Sequence, residues 1–265
     1  MENHQALFLV IIISLLTDKI SAKEKKVLNN DIWEKEKRGE PFYLVVQKEI
    51  GIKPQNNYKK YSQKRQDIIK NALNYLGLPY DSGESQQNLS IKDEDGDYLL
   101  KDNNTGKVYK IKLPDGKRPL VCTDLVVQAL EDAGYKIFLE GFDKRRIKTV
   151  LKEYFRKNKN DFYIIKLEFF GYNDIDFFPK VLPGDIIVTM HNKEKSGWTG
   201  WHTGIVESVN KNGFPETVIN SKGHAGVIVT RALSAGSYTD HNYGKIRYDG
   251  FFLEGDMVWI VRIRE

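Results

Sequence analysis

The sequence predicts an α+β fold in which helices come first and an antiparallel sheet or a small barrel follows. Two observations lead to this prediction. Apolar residues recur at helical spacing over residues 68–76 and 122–133, and glycines at 77 and 134 mark the ends of both segments. From residue 176 onward the chain consists of short stretches rich in Val and Ile, bounded by Gly, Pro and Asn, as expected for strands. Helices followed by strands favour separate layers over alternating βαβ units.

The composition indicates a globular protein that carries one large domain, or one domain with an appendage. The chain has 265 residues, of which 40% are hydrophobic and 29% are charged, and it is therefore too apolar for general disorder. With 41 basic and 36 acidic residues the chain is only mildly basic. This balance is not typical of a nucleic-acid-binding surface, and no nucleic-acid partner is expected.

The N-terminus has the pattern of an export signal. An apolar run of 11 residues, from Ala6 to Leu16, is too short to span a bilayer but fits the apolar part of a secretory signal peptide. A small residue at Ala22 suits cleavage. Residues 1–22 are therefore predicted to be a signal peptide, and the mature chain is expected to be exported without a transmembrane domain. An uncleaved anchor or a buried helix is the alternative.

The remaining chain divides by composition. Residues 23–64 are rich in Lys, Glu, Asn and Gln and are expected to form a helical accessory segment, while residues 65–265 form the main domain. Turn signals in the polar stretch predict a β-hairpin insertion near residues 84–118. The stretch "DEDGD" at residues 93–97 has its glycine one place too early for a calcium loop, so an acidic turn is expected there. No metal or cofactor is predicted.

Cys122 is the only cysteine, and it begins the second predicted helix. A single cysteine in an exported chain cannot form an internal disulfide. At a helix N-terminus, unpaired backbone N–H groups and the helix dipole favour an anion, so the thiol pKa is expected to be lowered. The charge of Asp124 opposes a thiolate there, and an imidazolium nearby would be needed. The alternative is that Cys122 is an inert core residue.

One of the five histidines, His202, opens the predicted strand "HTGIVESV", which gives a rigid, directed imidazole. A hairpin around the turn "NKNG" brings Asn220 within a few residues of the position opposite His202, whether Val209 pairs with Phe214 or the register is shifted. An Asn carboxamide in that place can hold the imidazole in one tautomer, and His224 is the alternative. A surface histidine and a turn asparagine are the plainer interpretations.

The order of Cys on a helix, His on a strand and a polar residue on the next strand is that of a papain-like site. The stretches "NALNYLGLPYDSG", "VCTDLVVQALEDAGY", "LPGDIIVTM", "HTGIVESV" and "VINSKG" also occur in the order found in NlpC-type cell-wall peptidases. Over residues 65–265 the chain resembles in particular an exported bacterial family of that papain-like superfamily, which is marked by a Cys-Thr-Asp motif.

The resemblance implies a papain-like fold with the nucleophile helix packed on the sheet. It makes Cys122 the nucleophile, His202 the general base and acid, and Asn220 the residue that orients the imidazole. The side chains expected to contact the substrate are Tyr80, Thr123, Asp124 and Trp201, and Trp198 is a second aromatic candidate. Asp185 matches a position of the family, but a Pro-Gly-Asp turn accounts for it without chemistry.

The function implied is that of an exported cysteine hydrolase that cleaves an amide bond in peptidoglycan peptides. Two departures bear on specificity: Val121 stands where NlpC-type enzymes have Asp, and Asn220 stands where the related family tends to have His. The alternatives are an N-acetylmuramoyl-L-alanine amidase with the same site, an acyltransferase, and a non-catalytic module that binds the cell wall or another surface.

Overall fold

The structure is a computed structural model, and it describes residues 42–80, 93–101, 108–139, 141, 144, 146–168, 170–191, 200–223, 225–234, 237–240, 245–253 and 255–265. The predicted signal peptide lies outside these residues, as do Trp198 and His224. Within the described residues, no helix combines the length and apolarity that a membrane crossing requires.

The helices of the described chain lie in its first 155 residues. They are α1 (Phe42–Ile50), α2 (Gln63–Leu73), α3 (Cys122–Asp132) and the short α4 (Ile147–Thr149), which continues directly into a π-helical segment (Val150–Phe155). Two 3₁₀ turns occupy Asn57–Lys60 and Tyr172–Phe177.

The strands are β1 (Tyr98–Lys101), β2 (Val108–Ile111), β3 (Phe162–Leu167), β4 (Ile186–Met190), β5 (Trp201–Val209), β6 (Pro215–Lys222), β7 (Gly226–Arg231), β8 (Ser237–Asp240), β9 (Lys245–Tyr248) and β10 (Met257–Ile263). Six of them form the main sheet in the order β3-β10-β4-β5-β6-β7, and every pair in it is antiparallel. The α+β prediction is confirmed at this level.

The two faces of the main sheet carry different cores because side chains alternate along each strand. On β5, Ile205 points to the face covered by the buried residues of α2 and α3. Its neighbour Val206 points to the opposite face, where a cluster of phenylalanines that includes Phe251 and Phe252 packs. We call these the helical face and the aromatic face.

α3 forms where the apolar spacing predicts it. Leu125, Val126, Ala129 and Leu130 are fully buried on the helical face. The chain turns after the helix at Gly134, whose φ of 90° lies in the left-handed region that glycine adopts without strain. The buried side of α3 therefore fixes the depth of its first residue, Cys122, against the sheet.

The described part of the accessory segment packs on the same domain. The backbone N–H of Ile52 donates to the carbonyl of Val229 on β7, at 2.9 Å. The fully buried carboxylate of Glu207, on β5, accepts the backbone N–H groups of Gln55 and Asn56, each at 2.9 Å. Residues that precede the predicted domain boundary thus contact the sheet through its backbone and through a buried carboxylate.

A buried charge network joins the start of α2 to the sheet. Asp185, with no exposed surface, accepts from Arg65 at 2.8 Å and from Arg262 at 2.8 Å. Arg65 also pairs with Glu265 near the end of the chain. The carboxylate of Asp185 additionally accepts the backbone N–H of Leu182, at 3.0 Å, which closes the Pro-Gly-Asp turn. These contacts agree with a structural role for Asp185.

The antiparallel pair β1–β2 lies within the segment where a hairpin insertion is expected. Before it, Asp93 accepts the backbone N–H groups of Asp95 and Asp97 and pairs with Lys110 at 2.6 Å. The hydrogen bond from Lys110 lowers the pKa of Asp93. The stretch is therefore an acidic turn closed by its own backbone, and no group of side chains suited to a metal ion occurs among the described residues.

Candidate active site

Cys122 is the first residue of α3, and its side chain is 7% exposed. Its Sγ lies 4.0 Å from Thr123 Oγ1, and it also contacts the backbone of Thr203 on β5. Burial raises the pKa of the Cys122 thiol, although Thr123 and the backbone of Thr203 act to lower it. The expected lowering of this pKa is therefore wrong. Packing of α3 on the sheet removes water from the thiol, and this raises the pKa by more than the neighbouring groups lower it.

Asp124 fixes the start of α3. It is 4% exposed, and its Oδ2 accepts the backbone N–H of Val121 at 3.4 Å and pairs with Arg118 at 3.0 Å. This is the carboxylate half of a capping box, since it satisfies an N–H at the helix start. The contacts assign Asp124 to positioning Cys122. Its predicted substrate contact, and that of the buried Thr123, stay predictions.

The loop before Cys122 is tied to β6. Ser221 Oγ donates to the carbonyl of Leu120 at 2.7 Å, and the Leu120 backbone N–H donates to the carbonyl of Pro79 at 3.0 Å. The partly buried ring of Tyr80 lies beside Gly223, where an added Cβ would come within 3.8 Å of it. Tyr80 is therefore a neighbour of the loop that carries Cys122.

His202 and Asn220 are joined by a hydrogen bond. His202 Nε2 lies 3.1 Å from Asn220 Oδ1. An amide oxygen only accepts, so Nε2 carries the proton in the neutral ring and Nδ1 carries a free electron pair. Asn220 is itself held, because its Nδ2 donates to Thr230 Oγ1 at 2.9 Å and to the carbonyl of Val218 at 3.1 Å. The imidazole is thus oriented with Nδ1 as its basic atom.

The register that brings this pair together differs from both predicted ones. Asn220 pairs with Gly204, and Val209 pairs with Pro215 and not with Phe214. The register shifts around Ser208, and the loop closes by backbone N–H groups that donate to the Asn210 side chain. Asn220 still falls two residues from the position opposite His202, as the coarser prediction required.

The environment of His202 keeps its ring neutral. Burial, and then the charges of His191 and Lys222, lower the pKa of His202 to about 3, while the Asn220 hydrogen bond acts in the opposite direction. The ring packs at 5.0 Å from the ring of Phe251 on the aromatic face. At neutral pH the site therefore holds an uncharged imidazole and a protonated thiol.

His191 and Asp256 were not among the predicted site residues. His191 Nδ1 lies 3.0 Å from Asp256 Oδ1, and both side chains are buried. The ring of His191 is 6.2 Å from that of His202, with an angle of 29° between the planes. The signal that could have revealed His191 is its place just after β4, because Thr189 pairs with His202.

Trp201 stacks on Trp259 of β10, with centroids 4.9 Å apart and planes 25° apart. It is partly buried and packs at the rim of the helical face, on the side where Thr203 contacts Cys122. Trp201 lies two residues before Thr203, the strand position whose backbone contacts the thiol, and a substrate contact for Trp201 stays a prediction.

The structure brings the predicted residues together in two groups. His202 lies on β5 and pairs with Asn220 on the aromatic face, where its ring packs on Phe251, whereas Cys122 contacts the backbone of Thr203 from the helical face. Within the described part of the chain, no hydrogen bond joins Cys122 Sγ to the ring of His202. Proton transfer between Cys122 and His202 is therefore a step that a cysteine hydrolase would require, and it is not a contact between the described residues of this structure. Comparisons with family models, curated proteins and solved structures find no match to this chain.

A pH dependence of stability follows from the partly buried imidazole of His202. The folded-state pKa of His202, about 3, lies below its ordinary 6.5. The unfolded chain therefore binds the proton more readily, and stability that is present above pH 6.5 is lost as the pH falls toward 3. Between pH 7 and pH 4.5, wild type should lose about 2–3 kcal/mol more than His202→Gln, as measured by urea unfolding at both pH values. Equal losses would show that the folded protein does not hold His202 as a neutral ring.

Proposed function

We propose that this chain is an exported cysteine hydrolase with a papain-like fold, which cleaves an amide bond in peptidoglycan peptides. The observation that carries the proposal is the 3.1 Å contact between His202 Nε2 and Asn220 Oδ1, at the end of the strand whose backbone contacts the Cys122 thiol. A buried thiol at a helix start and an imidazole held with a basic Nδ1 are the two groups that acyl transfer through cysteine requires.

Attack starts from uncharged groups. The reaction requires Nδ1 of His202 to come within hydrogen-bond distance of Sγ. As the bond between Sγ and the carbonyl carbon forms, the thiol proton then moves to Nδ1 of His202, and the carbonyl electron pair moves to oxygen. Burial disfavours a resting thiolate–imidazolium pair, so proton transfer and attack occur together. The Asn220 oxygen stabilises the imidazolium that forms, because it continues to accept from Nε2.

The backbone N–H groups of the first turn of α3 have no partner within the helix, and they are the natural donors for the oxyanion. When the carbonyl reforms, the C–N bond breaks and the leaving nitrogen takes the proton from Nδ1. Water then gives a proton to Nδ1 as it attacks the thioester. When that intermediate collapses, the C–S bond breaks and the sulfur takes the proton back from Nδ1 of His202. The carboxylic acid is then released.

The substrate assignment comes from the resemblance of the motifs to NlpC-type peptidases. Val121, 6% exposed, replaces the Asp of those enzymes, so this position provides no carboxylate to bind a peptide amine. We propose a peptidoglycan peptide bond as the substrate, with specificity that does not depend on an amine at this position. Digestion of purified peptidoglycan followed by product mass analysis distinguishes this from an amidase, which would separate the glycan from an intact peptide.

A non-catalytic surface-binding module is the second candidate. The observation that favours it is the buried Cys122 thiol, whose pKa burial raises. Such a module would leave peptidoglycan unchanged, and its thiol would react with a small neutral alkylating reagent no faster in wild type than in His202→Gln. Release of new peptide products that requires Cys122 would exclude it.

Asn220 provides a test of the positioning step. In Asn220→Ala the imidazole loses the acceptor on Nε2, so both tautomers are populated and kcat should fall about 10–100-fold with little change in KM. The measurement is steady-state hydrolysis of a soluble peptidoglycan peptide. Thr230→Val is the matched control, since it removes only one of the bonds that hold Asn220 and should reduce kcat much less. Equal rates for wild type and Asn220→Ala would contradict the assigned role.

A further inference from the structure

A cavity of about 520 Å³ lies away from Cys122, between the edge strand β3 and the π-helical segment. Its apolar wall includes Phe155, at the end of that segment, and Trp259 of β10. The volume is within the range of ligand pockets, and π-helical turns occur frequently at functional sites. No step of the proposed reaction uses these residues.

The charged lining of the cavity is entirely basic. Four cationic side chains reach it, from Arg156, Lys159, Lys166 and Arg264, and none of its described lining residues is Asp or Glu. Lys166 has an exposed partner, Glu168, at 3.4 Å, and such surface pairs are weak. The guanidinium of Arg264 lies 5.1 Å from the ring centroid of Tyr163, which presents it at the cavity wall. Cationic side chains beside aromatic rings suit a ligand that carries negative charge on an apolar framework.

The cavity faces the same side of the sheet as the thiol. Trp259 pairs with Val188, and Val188 pairs with Thr203, whose backbone contacts Cys122. Two strand spacings therefore separate the backbones of Trp259 and Thr203, which is about 10 Å. This is the length of roughly three extended peptide residues.

A path between the two sites runs over the end of the sheet. Val188 is fully buried, so the direct route is filled by the core. Trp201, Met190 and Met257 pair across the ends of three neighbouring strands, and all three are only partly buried. Trp201 also stacks on Trp259 of the cavity. These side chains form an apolar strip at the end of the sheet, which reaches the cavity at Trp259 and begins two residues from Thr203.

We infer that this basic cavity binds an acidic segment of the peptide substrate, a few residues away from the bond that is cleaved. The assignment to substrate rests on the proposed function, whereas the affinity for an acidic peptide does not. A free inorganic anion would use the four cations but would leave the aromatic wall without a contact, so the cavity favours carboxylates carried on a peptide.

The test measures binding without turnover. In full-length Cys122→Ala protein, calorimetry compares the peptide acetyl-Ala-Ala-Leu-Glu-Glu with its neutral counterpart acetyl-Ala-Ala-Leu-Gln-Gln-amide, and with inorganic phosphate. The acidic peptide should bind at least tenfold more tightly than the neutral one. The double substitution Arg156→Gln with Lys159→Gln should weaken it at least tenfold. Lys152→Gln with Lys157→Gln is the control, because it removes the same charge from side chains that do not line the cavity.

Equal weakening by both double variants would overturn the inference, since the effect would then be one of net charge. Binding of phosphate with the same dependence on Arg156 and Lys159, without binding of the acidic peptide, would also overturn it. Selective weakening by the cavity variant supports it even in a protein that proves inactive. Failure of the cavity and failure of the proposed hydrolase are therefore separate outcomes.

Discussion

Cys122→Ala should abolish hydrolysis, with a loss of at least about 10⁴-fold in kcat, because the acyl-enzyme can no longer form. The protein should remain folded. Removing one buried sulfur from the start of α3 should cost only about 1 kcal/mol, since the side chain is small and its backbone contacts remain. The measurement is release of peptide products from purified peptidoglycan, with circular dichroism to establish that the variant is folded.

Cys122 is the only cysteine in the chain, so the number of thiol labels per protein molecule measures the reaction of Cys122 alone. His202→Gln is the companion variant, as it retains the thiol and removes the base. Full activity in Cys122→Ala would show that the thiol takes no part in the reaction. If Cys122→Ala loses both its activity and its folded spectrum, Cys122→Ser is the second variant. A folded Cys122→Ser protein that hydrolyses peptidoglycan at the wild-type rate would contradict the role of the sulfur.

The second large effect concerns stability. Asp185→Asn should lower the free energy of unfolding by about 3 kcal/mol or more, because it leaves Arg65, which is 1% exposed, without its buried countercharge. Urea unfolding at pH 7 measures the change. The kcat of the remaining folded protein should be unchanged, since Asp185 joins α2 to the sheet and takes no part in the reaction.

Asp95→Asn is the control for this prediction. Asp95 is 78% exposed and lies 3.5 Å from Lys110, so its replacement should change the free energy of unfolding by less than about 0.5 kcal/mol. A change of similar size in the two variants would mean that the buried network contributes no more than a surface ion pair.

The elements that carry the candidate site are predictable because their signals are local. Periodic apolar residues and a terminal glycine define α3, and Val- and Ile-rich stretches define the strands from β4 to β7. β3 was not predicted, because "FYIIKL" precedes the region where that pattern becomes regular and lies at the sheet edge with most of its side chains partly exposed.

The electrostatics of the site could not be predicted in the same way. The helix start of Cys122 is a local feature, but the pKa of its thiol depends on how closely α3 packs against Thr203, 81 positions later in the numbering. The pair His191–Asp256 spans 65 residues and has no local signal. The exact register of His202 and Asn220 depends on the Asn210 loop and the shift near Ser208, which propensities do not encode.

The central claim is that Cys122 and His202 act together as nucleophile and base. The most direct measurement is intact-protein and peptide mass spectrometry after rapid acid quenching of the enzyme during turnover of a peptidoglycan peptide. We expect the acyl part of the substrate on Cys122 in wild type, and at least about 100-fold slower acylation in His202→Gln. Substrate that is cleaved while Cys122 stays unmodified at every quench time, or acylation at the same rate in both proteins, would contradict the claim.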